Sequence, residues 1–550
     1  MPLNLARLLT GAAFVLASGV LSAQPMGPVE AREFRINSFE LGDQRIPLVA
    51  SDSFGRAVVI WQSLGQEEPG WTIYAQRLDA DQALTGEEFQ INDYNVGSQD
   101  GQSIVMAADG RFAVAWNGPD SASTTDVISL RRFDPAGLPV AGDQRISENT
   151  GSTQLLPRLA LMGGDELMVS WESSDPIDNF NILSRRAGAS GMALGPITPL
   201  NVSAPGAQRR GDVVSAPDGS LYAVWQDAVL DGSDWGVFLR CLDPLGQGSP
   251  EIQVNQFTVG QQSRPRIARG RNGELAVVWQ DNMGMSSFVY RRIMARVFDS
   301  NCQPLGPELQ VNMLDDGIQD QPTLAADALG DFVIAWQSFP EDFTLQGIYG
   351  RRLGASGDFL SDEFEVSLEV EAFQDFPAVT GLPDGGYLFV WESAGQDESG
   401  FGVYARRFLG PRASEIDILA GAGQTTESNQ PFAEDLVVEV RDEWGDPRVG
   451  ELLRLSSSST SAGVLFPNGQ STIEQATDAA GRLQIALRAN AFGGDHDVLI
   501  EASSSGLRQR VALTNLGPAG LPQTLPVPGL GPWALLIFAM LVLVMVRPRL

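Results

Sequence analysis

"AVVIWQS", residues 57–63, is a stretch that the chain keeps repeating. Variants of it stand at 112–118 ("FAVAWNG"), 167–173 ("LMVSWES"), 221–227 ("LYAVWQD"), 275–281 ("LAVVWQD"), 332–338 ("FVIAWQS") and 387–393 ("YLFVWES"). Their tryptophans, Trp61, Trp116, Trp171, Trp225, Trp279, Trp336 and Trp391, are spaced by 55, 55, 54, 54, 57 and 55 residues. A period of this size marks a repeat architecture, in which one supersecondary unit is copied and stacked.

Aligning on tryptophan exposes further columns. Seventeen residues earlier stand Gln44, Gln99, Gln154, Gln208, Gln262, Gln319 and Gln374. A glycine turn precedes each tryptophan strand, and a strand with a recurring arginine follows it: Arg131, Arg185, Arg240, Arg296, Arg351 and Arg406, with Gln76 in the first unit. A short strand ending in Asn or Ser closes each unit, as in "FQIN", "IQVN" and "FEVS". Each unit therefore reads as four short strands joined by glycine-bearing turns. The tryptophan strand is apolar on both faces, the pattern of a strand buried on both sides. Four-stranded sheets stacked face to face and repeated radially make a β-propeller. The last unit ends at Phe408 without a fourth strand, whereas "FRIN" at 34–37 is a spare one. The expected fold is all-β: a seven-bladed β-propeller over residues 33–410, its last blade completed by the N-terminal strand.

The tryptophans read as blade packing, with sugar stacking as the other reading. The glutamines read as partners for neighbouring backbone near the channel mouth, with a polar ring around a ligand as the alternative. The arginines read as pairing or stacking between blades, with a ring for an acidic sugar as the alternative. Glu172 and Glu392 follow tryptophans in a column held elsewhere by Gln or Asn and read as variants of a structural position.

The chain has 550 residues, a net charge of −31 and 37 basic residues, all arginine. Lysine Schiff-base chemistry is thereby excluded. Strong acidity disfavours nucleic acid as a partner. Only Cys241 and Cys302 are present, so no disulfide scaffold or zinc ribbon is expected; in an exported chain the two could pair, although repeat alignment sets them at different depths on neighbouring units. The loops after the tryptophans are acidic and share one rim. Clustered carboxylates suit calcium, although solvated acidic loops are the commoner case; no other cofactor or metal is expected.

Residues 1–23 read as a secretory signal peptide cleaved after Ala23, with Arg7 before an apolar run from Leu8 to Leu21. At the other end, a Pro/Gly linker (517–529) leads to a tail (530–550) that is apolar from Leu530 to Val546 and then carries Arg547 and Arg549. Seventeen helical residues span about 25 Å, short for a bilayer. Val527, Pro528, Leu530 and Trp533, followed by the apolar run and Arg547 and Arg549, resemble the IPTL-CTERM sorting signal, with Gly529 in place of threonine. The resemblance implies export, handling by a sorting machinery, and at least transient anchoring through a C-terminal transmembrane helix. A plain membrane anchor is the other reading.

The period stops after Arg412. Residues 413–516 alternate strands and turns in the manner of a β-sandwich. Gly421-Ala422-Gly423-Gln424, the turn from Asp442 to Pro447 and Thr477-Asp478-Ala479-Ala480-Gly481 resemble a bacterial immunoglobulin-like domain of the invasin/intimin type. The resemblance implies a stalk.

No nucleophile elbow, P-loop, metal-ligand pair or Asp box is present, so no catalytic residue is assigned. On that absence, the expectation is an exported cell-surface binding or adhesion protein: a propeller head without catalysis on an Ig-like stalk, with an extracellular glycan or protein as ligand. The alternative is a secreted glycoside hydrolase or lyase acting on polysaccharide, since this architecture hosts such enzymes too.

Overall fold

The computed structural model describes residues 32–517, apart from 67–69, 175–178, 203–205, 283–289, 314–316, 340–346, 369–372, 397–399, 411, 443–446, 449 and 479. It divides into two compact units, Met1–Pro411 and Arg412–Leu550.

Among the described residues the first unit holds seven four-stranded antiparallel sheets. Blade 1 runs Gln44–Ser51, Ala57–Leu64, Trp71–Leu78 and Leu84–Gln90, each strand paired with the next in sequence. The inner strands of blades 2–7 are Asp100–Met106, Gln154–Leu161, Gln208–Ser215, Gln262–Arg269, Ile318–Ala326 and Gln374–Gly381. Each inner strand lies beside that of the following blade, and the seventh lies beside the first, so the ring closes. This is the arrangement of a β-propeller.

Closure uses the spare strand. Phe34–Arg35 pairs with the third strand of blade 7, Phe34 opposite Ala405 and Arg35 opposite Tyr404. Asn37 extends the join: its side-chain oxygen accepts from Val403 N–H at 2.8 Å. The same bond recurs in every blade, made by Asn92, Ser147, Asn201, Asn255, Asn312 and Ser367 to Ile73, Ile128, Ile182, Val237, Ile293 and Ile348.

Burial explains the apolar runs. Leu221–Asp227 and Leu275–Asp281 are buried along their whole length. Every repeat tryptophan is at most 2% exposed and packs into a cluster shared with the preceding blade. Trp116 meets Val58 and Ile60 of blade 1, and Trp61 meets Leu388 and Val390 of blade 7. The arginine column joins blades through backbone: Arg131, Arg185, Arg240, Arg296, Arg351 and Arg406 donate at 2.6–2.9 Å to the carbonyls of Ile91, Ile146, Leu200, Val254, Val311 and Val366 in the preceding blade. Gln76, at the seam, instead donates to Arg77, Thr85 and Gly86 carbonyls of its own blade.

The cysteines do pair. Cys241 and Cys302 form a disulfide between blades 4 and 5, with Cα atoms 6.6 Å apart. The depth difference read from the repeat alignment is removed because Cys302 lies in the turn after its blade's third strand, folded back beside the neighbouring Cys241 strand.

The second unit packs a three-stranded sheet (Ala413–Ala420, Leu436–Asp442, Arg482–Ile485) and a five-stranded sheet around one core. Val438 and Val440 of the first sheet share that core with Leu453, Leu455, Ile500 and Val511 of the second. Among the described residues no helix is long and apolar enough to cross a membrane. Ala23, Val527, Pro528, Trp533, Arg547 and Arg549 lie outside the described residues.

Candidate functional site

The inner strands share an irregularity that positions the site. In each, the pairing register shifts shortly after the strand begins, between Arg45 and Leu48 in blade 1 and at the matching place in the other six. One residue in each shift has a positive φ: Ile46 (51°), Gly101 (62°), Leu156 (51°), Arg210 (55°), Arg264 (54°), Gln321 (51°) and Phe376 (49°). Six of the seven are not glycine, and each such residue costs about 1–3 kcal/mol unless the surroundings enforce it. The clamp is visible. In five of the seven blades the residue after the tryptophan reaches across to the next blade's bulge: Glu392 Oε2 accepts Ile46 N–H at 2.7 Å, Asn117 Oδ1 accepts Leu156 N–H at 3.1 Å, Glu172 Oε1 accepts Arg210 N–H at 2.6 Å, Gln226 Oε1 accepts Arg264 N–H at 2.9 Å, and Gln337 Oε1 accepts Phe376 N–H at 3.3 Å.

All seven of these left-handed residues line one cavity of about 390 Å³, which therefore sits on the axis of the ring. It lies at the strand ends toward which the post-tryptophan loops run, since Gln44 pairs opposite Ser63.

The cavity's chemistry is lopsided. Blades 3–5 contribute Arg158, Arg209, Arg210, Arg264 and Arg266, while Asp100 is the one carboxylate in the lining among the described residues. Three of the arginines have partners: Arg209 pairs with Glu172 at 2.9 Å, Arg158 with Asp212 at 3.7 Å, and Arg264 donates to Gln321 at 2.6 Å. The side chains of Arg210 and Arg266 make no hydrogen bond or ion pair among the described residues. Burial, reinforced by neighbouring guanidinium groups, brings each of them down to about 10.

Two further carboxylates stand next to the lining without being part of it. Asp375 immediately precedes the cavity-lining Phe376 and lies opposite Glu392 across the strand pair. Burial, then the charge of Glu392, pushes Asp375 up to about 7. Burial also raises Glu392, against the opposing bond from Arg45 at 2.6 Å. Burial raises Asp100 too, against its 2.5 Å bond from Asn117.

The glutamine column stands behind this wall. All seven are 0–3% exposed and none lines the cavity. Gln44 and Gln154 donate to the carbonyls of Leu41 and Glu148, whereas Gln208, Gln262 and Gln374 donate to Asp227, Asp281 and Ser393 side chains. Gln99 and Gln319 accept from Trp116 and Trp336 at 2.9 Å. Glu172 and Glu392 are engaged as clamps. The residues that line the cavity, Arg210 and Arg266 among them, were not singled out in the sequence, nor was Asp375 beside the lining Phe376. Their signal was the variability of the positions just after the repeated glutamine, where "RR" at 209–210 and "SRPR" at 263–266 concentrate charge. Among the described residues no group of three His, Cys, Asp or Glu side chains is placed to hold a metal ion. Parts of the acidic loops, 67–69, 175–178, 340–346 and 397–399, lie outside them.

No family model and no curated protein matches the chain. Solved structures of similar fold include a PL25 polysaccharide lyase, ulvan lyase, at 9% identity and a TM-score of 0.45, covering 69% of this chain and 97% of that one. Another is the Penicillium chrysogenum alpha-L-arabinanase complexed with arabinobiose, at 15% identity and a TM-score of 0.40, covering 57% and 94%. A third is a mutant of the NanB sialidase from Streptococcus pneumoniae, at 11% identity and a TM-score of 0.40, covering 68% and 70%. At these identities the likeness concerns the fold. The expectation of an adhesion head without catalysis is not retained, since the structures of similar fold named above are a polysaccharide lyase, an arabinanase and a sialidase. That expectation rested on absent motifs, and a site assembled from seven separate blades leaves no contiguous motif to find.

Proposed function

We propose that this protein is an exported carbohydrate-active enzyme, a glycoside hydrolase or lyase, that works at the axial cavity of a seven-bladed propeller. The carrying observation is that cavity: seven blades bring divergent side chains to one point, five arginines from three blades in its lining, with Asp100 in the lining and Asp375 next to the lining Phe376. Such a concave site with convergent polar groups is where chemistry is expected. Asp375 is the proton-transferring group. A carboxyl group that titrates near neutral pH holds its proton long enough to give it to a leaving oxygen. In hydrolysis, the sugar–oxygen bond breaks, the Asp375 proton goes to the leaving oxygen, and water supplies hydroxyl to the sugar carbon. The proton that water releases restores Asp375. In elimination, the leaving oxygen takes the same proton as its bond to the sugar carbon breaks, water accepts the proton beside the sugar carboxylate, the freed electron pair forms the double bond of an unsaturated end, and the proton returned from that water restores Asp375.

The other parts fit an exported enzyme. The second unit, with its two sheets and its likeness to invasin-type immunoglobulin domains, serves as the spacer. The signal peptide ending at Ala23 directs export, in keeping with a disulfide. The tail with Val527, Pro528 and Trp533 engages the sorting machinery and the membrane.

The test is a purified protein incubated with neutral, carboxylated and sulfated polysaccharides while new reducing and unsaturated ends are counted across the neutral pH range. Cleavage of at least one polymer is expected, with a limb that falls as pH rises through about 7 and a loss of roughly 100-fold or more in Asp375→Asn. No new ends on any polymer, or an unchanged rate in Asp375→Asn, sinks the reading.

A further inference from the structure

Resting on the reading of the axial cavity as a sugar-cleaving site, we infer that its substrate is an anionic polysaccharide, held through a carboxylate or sulfate oxyanion between Arg210 and Arg266. Five arginines converge on the cavity from three adjacent blades, in a chain whose acidic residues outnumber basic ones 68 to 37. Such a concentration runs against composition. Arg210 and Arg266 also lack a carboxylate partner among the described residues. Glu172 and Asp212 act on them without a direct ion pair; a half-buried guanidinium compensated only at that range is costly, and an incoming oxyanion lowers the cost. Guanidinium groups fit carboxylate and sulfate oxygens through paired N–H donors.

The remaining wall suits a sugar ring. Ile46, Leu156 and Phe376 present apolar surface to the same cavity. Its volume of about 390 Å³ falls within the small-ligand range of roughly 300–1,000 Å³. The chain's net charge of −31 does not decide the matter. Exposed charges are screened over about 8 Å at physiological ionic strength, whereas buried arginines are screened much less.

The inference is tested by measuring binding of heparin (sulfated), polygalacturonate (carboxylated) and dextran (neutral) to the full-length protein, wild type and variants. Either anionic polymer binds and dextran does not; which anionic polymer binds better identifies the oxyanion. Arg210→Gln and Arg266→Gln each weaken binding about tenfold or more. Arg210→Lys, which keeps the charge and spares the fold, recovers part of the loss. Arg510→Gln, an exposed change on the second unit, leaves binding unaltered. Equal binding of dextran, unchanged binding in both folded glutamine variants, or an equal loss in Arg510→Gln overturns the inference. Anionic polymer bound but never cut retains this inference and sinks the enzymatic reading; cleavage of neutral polymers alone does the reverse.

Discussion

Arg266 and Asp375 show how one fold gives two side chains opposite tasks. Both are removed from water, and burial penalises the charged form of each. For Arg266 the result is a cation still charged at neutral pH but poorly compensated. For Asp375 it is an acid titrating at about 7. The sign of the stability effect follows. A carboxyl group raised above its unfolded value near 4 binds more protons when folded, so stability falls as pH rises from about 4 to about 7 and stays lower above that. Denaturant unfolding across this range shows wild-type stability declining, by a few kcal/mol at most, and Asp375→Asn losing most of that slope. An unchanged slope removes Asp375 as the titrating group. Neither residue announced itself in the sequence. An arginine in "SRPR" or an aspartate in "QDFP" has the same composition whether it faces a channel or solvent, and only the register of the bulge decides.

At the scale of the element, the unit is the joint between blades. Each tryptophan fills a pocket on its predecessor, so Trp225→Ala, which empties the cluster holding Ile182 and Val213, costs about 3–5 kcal/mol, read as a shift in the denaturation midpoint. A smaller loss means that the neighbouring blade collapses into the space. The Asn/Ser column works by hydrogen bonding. Asn37→Ala leaves the buried Val403 N–H unpaired and costs about 1–3 kcal/mol. Because this joint closes the ring, amide exchange in Phe401–Phe408 increases first in that variant; uniform exchange across all blades contradicts the closure role. These joints were largely legible, because a column repeated in every unit serves the unit. The bulge itself was not. Five of its seven sites carry proline next to the left-handed residue or one beyond it, yet local preference before proline is extended, and the clamp from the adjacent blade overrides it.

The whole molecule adds constraints between distant segments. The disulfide closes a loop across 61 residues between neighbouring blades. In the chain-entropy account such a crosslink stabilises by about 4 kcal/mol. Cys241→Ser with Cys302→Ser lowers the unfolding midpoint accordingly, and no change means that the blade interface alone holds that position. Period and strand pattern by themselves determined the number of sheets, the tryptophan strands and the use of the N-terminal segment to finish the last blade. They did so because burial on both faces and a constant repeat length leave few ways to stack. Only the tertiary structure decided which residues meet on the axis, that the cysteines approach closely enough to bond, and that five arginines from three blades gather there. Those depend on a one-residue shift in each inner strand and on closure of the ring, and both are set by contacts between segments tens to hundreds of residues apart.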